Sequence, residues 1–231
     1  QNTLWKNEQL FRIHSQGDTY NQAYLEDYTA CALGYLQLFQ ATQEDRYLEF
    51  AKTLGDKAIE IFYLETTKTF QFTSHNAEGL ILRKTDSTDD VIPSSNSMMA
   101  QVLEALFLHF AEPRYRELFL QLLGNTSQQI EKFPSWYSGW ARLHAMQTCG
   151  NAHIGIWGDL PKPNAKERAQ WPSWLNVMNM RTDSQIPWLQ SNVNTAKGYY
   201  LCSGAQCYEP LSQWSQIQEL LDERYSQEAL D

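Results

Sequence analysis

A polar loop that opens onto an apolar helix reads Asp89-Asp90-Val91-Ile92-Pro93-Ser94-Ser95-Asn96-Ser97. Ser94, Ser95 or Asn96 can cap this helix, because each side chain offers an oxygen to an unpaired backbone N–H of the first turn. The same N–H groups and the helix dipole also favour a ligand oxygen at this end. Capping accounts for one or two of these residues, so both a structural and a functional interpretation are open for Asp89 and the rest.

On the N-terminal side of this loop the apolar pattern is helical. Thr42 and Asp45 resemble a capping pair, and a second helix is predicted to follow them through residues 47–61. Residues 69–83 instead predict a short β-hairpin with its turn at 76–79. The first helix is predicted to present one apolar face made of Leu25, Tyr28, Thr29, Ala32, Leu36 and Phe39.

On the C-terminal side the pattern predicts three further helices, at residues 95–111, 113–133 and 135–149. The sequence Asp45-Arg46-Tyr47-Leu48-Glu49-Phe50 is echoed by Pro113-Arg114-Tyr115-Arg116-Glu117-Leu118, each at the start of the second helix of a pair. Repeated helix pairs with a long connection inside each unit are typical of a toroid or solenoid. A plain helical bundle is the alternative.

Beyond Cys149 the character of the chain changes. The region is interrupted by Pro161, Pro163, Pro172 and Pro187. Strands are predicted at residues 152–157, 177–180 and 198–202, with a helix at 210–223. We therefore predict a mainly α protein with a helical portion over residues 1–150 and a small α/β appendage over residues 151–231.

Composition restricts the function classes. The 231 residues are 42% hydrophobic and carry 18 Lys and Arg against 27 Asp and Glu, a net charge of −9, which argues against nucleic acid. No apolar run approaches the roughly 20 residues that cross a bilayer. The first residues lack the order of a signal peptide, but a chain that begins Gln-Asn and not Met is typical of a trimmed sequence, which leaves a removed targeting segment open. A soluble, cytoplasmic protein is expected.

Metal and cofactor motifs are missing from the sequence. No two histidines have zinc-like spacing, and no string of carboxylates resembles a calcium loop. Neither Gly-x-Gly-x-x-Gly nor a Walker-type loop occurs. The sequence therefore predicts neither a metal nor a cofactor.

Six short motifs follow one another along the chain: Tyr24-Leu25-Glu26-Asp27-Tyr28, Phe72-Thr73, Asp89-x-x-x-Pro93-Ser94-x-Asn96-Ser97, Phe133-Pro134-Ser135, Ile154-Gly155-Ile156-Trp157-Gly158-Asp159 and Tyr200-x-Cys202-x4-Cys207-x-x-Pro210. In this order they resemble one family, the thioredoxin-like spermatogenesis-associated proteins and their bacterial YyaL-type relatives. The resemblance covers essentially the whole chain, which would form about the last third of such a protein. Asp90 departs from the pattern, since glycine is usual there.

The resemblance implies an incomplete (α/α)6 toroid, similar to N-acylglucosamine 2-epimerases and six-hairpin glycosidases, followed by a small α/β tail. Its function would be to bind or process a carbohydrate at the rim of the helices. A non-catalytic scaffold for the N-terminal thioredoxin-like domain of a longer protein is the alternative. A helical-repeat interaction module without a pocket is a third.

Loops at one rim of such a toroid surround a central pocket, and candidate residues follow from that placement. A sugar site uses carboxylates for acid–base chemistry and aromatic rings for stacking. The catalytic candidates are Asp89, Glu26, Asp27 and, by analogy with sugar epimerases alone, His14. The candidates for substrate binding are Tyr28, Ser94, Asn96, Trp136 and Trp140.

Each candidate also has a structural explanation. Glu26 and Asp27 can complement the dipole of the helix they begin. Tyr28 lies on the apolar helix face, and the two tryptophans can pack in the core.

Cys202 and Cys207 are the redox candidates, separated by a tetrapeptide that contains Gly204. A strand–turn–strand could bring them within disulfide reach in an oxidising compartment, whereas in a reducing cytoplasm they would be two thiols. Cys31 and Cys149 are expected in the helical core. A truncated toroid would expose apolar faces, so a homodimer that covers residues 24–63 is also expected.

Overall fold

The computed structural model describes residues 3–75, 84–149, 152–168, 175–187, 196–203 and 206–227. The chain forms two compact units. The first unit comprises residues 1–107 and 112–144, and the second unit comprises residues 108–111 and 145–231. In the parts of the chain described, no helix is both long and apolar enough to span a membrane. Helices predominate, as predicted for a mainly α chain.

The first unit begins with a three-stranded antiparallel sheet that the sequence pattern did not predict. Its strands are β1 (Trp5–Lys6), β2 (Gln9–Ser15) and β3 (Asp18–Gln22), in the order β1-β2-β3. Gln16 and Gly17 form a tight turn with φ values of 52° and 90°, and positive φ at both positions matches the right-handed twist of a two-residue hairpin. Most side chains of β2 and β3 are exposed, so apolar periodicity gives no signal there.

Two antiparallel helices follow, α1 (Leu25–Thr42) and α2 (Asp45–Phe62). The buried face of α1 consists of the same residues that the sequence predicts. The predicted capping pair is wrong: Thr42 is the last residue of α1, where its hydroxyl donates to the Leu38 carbonyl at 2.8 Å. Gln43, with φ of 59°, ends α1, and Glu44 is the cap residue of α2.

A two-stranded ladder then joins β4 (Tyr63–Leu64) to β5 (Thr69–Phe70). The hairpin predicted over residues 69–83 is described only in its first strand, where β5 pairs with β4 directly after α2. Residues 76–83, which would have formed its turn and second strand, lie outside the described residues.

The remaining helices of this region are α3 (Ser95–Phe110), α4 (Pro113–Gly124), α5 (Ser127–Lys132) and α6 (Ser138–Cys149), with a 3-10 turn at Pro134–Trp136. The single helix predicted over residues 113–133 is divided into α4 and α5. Gly124, Asn125, Thr126 and Ser127 at the break all favour turns or caps over helix interiors.

The sequence echo has an equivalent structure in both helix pairs of the first unit. The Arg46 guanidinium lies 4.7 Å from the centre of the Tyr47 ring, and Arg114 lies 4.7 Å from that of Tyr115. Each arginine also pairs with the glutamate that caps its own helix, at 2.7 Å to Glu44 and 2.8 Å in the second copy. The two helix pairs therefore repeat in local geometry as well as in sequence.

The second unit contains a four-stranded sheet and a C-terminal helix. Its elements are β6 (Ala152–Trp157), α7 (Ala165–Arg168), β7 (Asn176–Asn179), β8 (Gly198–Ser203), β9 (Gln206–Cys207) and α8 (Trp214–Gln227). The strand order is β7-β6-β8-β9, in which the β6–β7 pair alone is parallel. Ile154 and Tyr199 from the sheet pack with Ile217 from α8, which gives the predicted α/β character.

Candidate functional site

Asp89 connects the starts of two helices in the first unit. One carboxylate oxygen accepts the Ser94 backbone N–H at 2.9 Å, and the other accepts the Gly139 backbone N–H at 2.7 Å. The hydroxyl groups of Ser97 and Ser138 also donate to it, each at 3.3 Å. Helix starts leave backbone N–H groups without intrahelical partners. By accepting two of these groups, the Asp89 carboxylate has a structural role.

Two further side chains of this region accept backbone N–H groups at the start of α3. Of the three candidate caps, Ser94 holds the position, since its hydroxyl accepts the Ser97 N–H at 3.2 Å. The Asp86 carboxylate accepts the Ser95 N–H at 2.8 Å. The first turn of α3 is therefore satisfied by side chains of its own loop.

Asn96 acts as a substitute strand partner for β5. Its side-chain oxygen accepts the Phe70 N–H at 3.0 Å, and its amide N–H donates to the Phe70 carbonyl at 2.9 Å. A third bond runs from the amide to the Asp86 carbonyl at 2.9 Å. The Asn96 side chain is buried, and its three hydrogen bonds connect α3 to β5 and to the loop.

Glu26 and Asp27 lie at the start of α1 and share one arginine. Arg12 contacts a Glu26 oxygen at 2.9 Å and an Asp27 oxygen at 3.2 Å. Asp27 also accepts the Tyr24 backbone N–H at 2.8 Å, which completes the helix start. These contacts fit the dipole explanation of both carboxylates.

Tyr28 and His14 each contact a residue of the β1–β3 sheet. Tyr28 is buried, its hydroxyl accepts the Leu10 N–H at 2.9 Å, and burial raises its pKa. The cavity beside Tyr28 measures about 20 Å³, which is room for about one water. His14 is exposed on β2, with Nδ1 3.1 Å from the Thr19 hydroxyl oxygen.

A larger cavity of about 190 Å³ lies in the first unit. Among the predicted site residues, Asn96 and Trp140 line this cavity, whereas Asp89, His14, Glu26, Asp27, Tyr28, Ser94 and Trp136 do not. None of its lining side chains is charged. The lining consists of Thr69, Ser87, Asn96, Leu122, Asn125, Thr126, Gln129, Tyr137 and Trp140.

The two tryptophans differ in their surroundings. Trp140 is buried, and its indole N–H donates to the Ser87 carbonyl at 2.8 Å, which fixes the ring beside the cavity. Trp136 is 62% exposed at the end of the 3-10 turn. Trp140 is thus placed to contact a cavity ligand, and Trp136 faces solvent.

Several polar groups of the cavity wall have capacity for a ligand. The Asn125 amide donates to the Lys68 carbonyl at 3.1 Å, and its side-chain oxygen has no protein partner within the described residues. The same holds, over the described ranges, for the Gln129 amide and the Tyr137 hydroxyl. Donors and acceptors on these groups can therefore bind a ligand without breaking a hydrogen bond of the fold.

Sequence reasoning named Tyr137 with Trp136 and Trp140 as possible stacking residues. It missed Asn125 and Gln129, because it predicted one helix over residues 113–133. The run Gly124-Asn125-Thr126-Ser127 was the available signal, since consecutive turn-forming residues mark a helix break. The break lets side chains from both sides of it line one cavity.

The cysteines of the second unit lie on two paired antiparallel strands. Cys202 on β8 faces Cys207 on β9 in the backbone register, and Cys202 is buried and disulfide-bonded. A redox role for this pair stays a prediction. Cys31 is a free and exposed cysteine, so its expected place in the core is wrong. Over the part of the chain described, no group of three or more His, Cys, Asp or Glu could hold a metal ion.

Comparison with known proteins agrees with the family that the motifs indicate. No family model matches the sequence. The chain is 25% identical over 212 residues to spermatogenesis-associated protein 20 of Homo sapiens, and 26% identical over 213 residues to the protein of that name from Mus musculus. Each match covers 86% of this chain and 27% of the relative, so the chain spans about a quarter of the length of these relatives.

Proposed function

We propose that the first unit binds a carbohydrate in the cavity between β5, α3, the α4–α5 break and α6. The observation that carries the proposal is a wall of amide and hydroxyl groups around a fixed indole, with room of about 190 Å³. Sugars present hydroxyls that donate and accept at once, and Asn125 and Gln129 offer both functions from one side chain. Tyr137 and Trp140 supply the apolar surface that ring C–H groups require.

The proposed activity is binding rather than hydrolysis. Glycosidases place two carboxylates across the scissile bond, and the lining of this cavity contains none. Asp89 is a catalytic candidate from the sequence, but both of its carboxylate oxygens accept backbone N–H groups at helix starts. Glu26 and Asp27 are paired with Arg12 at the start of α1.

We further propose that the helix pairs are part of an incomplete (α/α)6 toroid. The repeated Arg–Tyr geometry of α1–α2 and α3–α4 supports successive equivalent units. The length of the relatives leaves room for more such pairs, since this chain spans 27% of them.

The experiment is calorimetric titration of the 231-residue chain with methyl glycosides of glucose, galactose and mannose. Saturable binding of at least one glycoside is expected. Gln129→Ala should weaken it several-fold, since it removes hydrogen bonds worth about 1 kcal/mol each. The neighbouring Gln128→Ala, exposed and outside the cavity lining, should leave binding unchanged. Equal effects of both changes, or no binding of any glycoside, would contradict the proposal.

The second candidate is a scaffold that holds a thioredoxin-like domain of a longer protein. Exposed apolar side chains on two adjoining segments favour it: Val91 is 94% exposed, Ile92 58% and Phe133 59%. A backbone hydrogen bond of 2.8 Å from Asp89 to Trp136 joins the two segments. Titration with an isolated thioredoxin-like domain tests this candidate, because Val91→Ser with Ile92→Ser should abolish such binding and leave sugar binding intact.

A further inference from the structure

We infer that the ligand of this cavity is an uncharged sugar recognised through a single ring. The inference rests on the proposed function and adds a selectivity to it. Three properties of the cavity support the inference. Its lining is uncharged, the charged residues closest to the lining in sequence already have partners, and its volume suits one ring.

No lining residue is charged. The charged residues that lie close to a lining residue in sequence, or that bind one, already have partners. Asp86 and Asp89, which flank Ser87, accept the backbone N–H groups of helix starts. Lys68, whose carbonyl binds Asn125, forms an ion pair with Glu65. A ligand phosphate or carboxylate would therefore lose water without gaining a cation, and a ligand ammonium would gain no carboxylate.

The charge of the whole chain acts in the same direction for anions. The net charge of −9 repels an anionic sugar at long range, and no basic group in the lining offsets it. Uncharged hydroxyls avoid both penalties, because amides and hydroxyls of the wall replace their water contacts.

The volume of the cavity suits one sugar ring. About 190 Å³ corresponds to about six waters at roughly 30 Å³ each, which is room for a monosaccharide unit. Asn125 and Gln129 lie four residues apart across the α4–α5 break, so their amides can serve different hydroxyls of the same ring.

The test compares ligands of equal ring size and different charge by calorimetry on the 231-residue chain. Methyl glucoside, galactoside and mannoside are the uncharged probes, glucuronate and glucose 6-phosphate the anions, and glucosamine the cation. We expect the charged analogue of a bound glycoside to bind at least tenfold more weakly. A charged analogue that binds equally well or better overturns the inference and leaves carbohydrate binding standing, whereas no binding by any probe refutes the proposed function itself.

A change of wall charge gives an independent check. Gln129→Glu keeps the shape of an exposed side chain and places a carboxylate at the cavity. The preference for the uncharged glycoside over glucosamine should fall about tenfold or reverse. Gln128→Glu adds the same charge one residue away and outside the lining, and it should leave the preference unchanged. Equal shifts in both variants would mean that long-range charge, and not the wall, sets the selectivity.

Discussion

The Asp89 carboxylate accepts the Gly139 backbone N–H at 2.7 Å and thereby joins a loop to a helix fifty residues further along the chain. Gly139 lies in the first turn of α6, and a Cβ at this position would come within 3.2 Å of the same carboxylate. Because Gly139 has no side chain, the Asp89 carboxylate has room to approach the Gly139 backbone N–H. Through this contact the loop before α3 and the cavity wall on α6 hold one another in place.

Asp89→Ala should destabilise the protein by about 3 kcal/mol, since two helix-start donors lose a charged acceptor at once. A substitution in an ordinary surface loop would cost under roughly 1 kcal/mol. Urea unfolding followed by circular dichroism measures the loss.

Asp90→Ala is the matched control. Asp90 is exposed, and its side chain has no hydrogen bond within the described chain, so stability should change by less than about 0.5 kcal/mol. Similar stability of the two variants would show that the Asp89 contacts contribute little.

The sequence predicted the buried face of α1 correctly because its apolar residues from Leu25 to Phe39 recur at the three- and four-residue spacing of one helix face. It missed β1–β3, whose exposed side chains leave no periodic signal. Asp89 and Asn96 were chosen from the sequence as site candidates, but their hydrogen-bond partners Gly139 and Phe70 are distant in sequence. No pattern within a short window shows such pairings, so the structural use of these side chains could not be predicted.

Asn96→Ala and Ser95→Ala should have opposite effects although the residues are adjacent. Removing the Asn96 amide leaves the Phe70 N–H and carbonyl buried without their partner, at a cost of about 2–4 kcal/mol. The Ser95 hydroxyl is buried and has no partner among the described residues, so its removal should be neutral or stabilise by up to about 1 kcal/mol. Thermal unfolding of both variants checks the sign. Destabilisation by Ser95→Ala would reveal a partner for that hydroxyl.

Two glycine substitutions separate helix propensity from packing. Gly34 lies in α1, and a Cβ added to it would meet no atom within 4 Å. Gly34→Ala should therefore stabilise the protein by about 0.5–1 kcal/mol. A Cβ at Gly55 would approach Leu106 Cδ1 to 2.7 Å and Val102 Cγ1 to 3.3 Å, and both neighbours are buried. Gly55→Ala should therefore destabilise by about 1–2 kcal/mol. Denaturant unfolding checks both predictions: the midpoint of Gly34→Ala should lie above that of the parent protein, and the midpoint of Gly55→Ala below it. A stabilised Gly55→Ala would mean that the side chains of α3 move aside at little cost.

Acid should destabilise the second unit through two histidines. Burial lowers the pKa of His109 to about 3, and burial together with neighbouring His109 lowers that of His153 to about 3. Both values lie below the roughly 6.5 of an unfolded chain, so the stabilisation is complete above pH 6.5 and is lost as the pH falls from 6.5 towards 3. Each imidazole should contribute a slope of about 1.4 kcal/mol per pH unit in that window. Urea unfolding from pH 7 to pH 5 measures the slope, and His109→Gln should reduce it by about half. An unchanged slope in that variant would show that His109 takes up its proton without unfolding the protein.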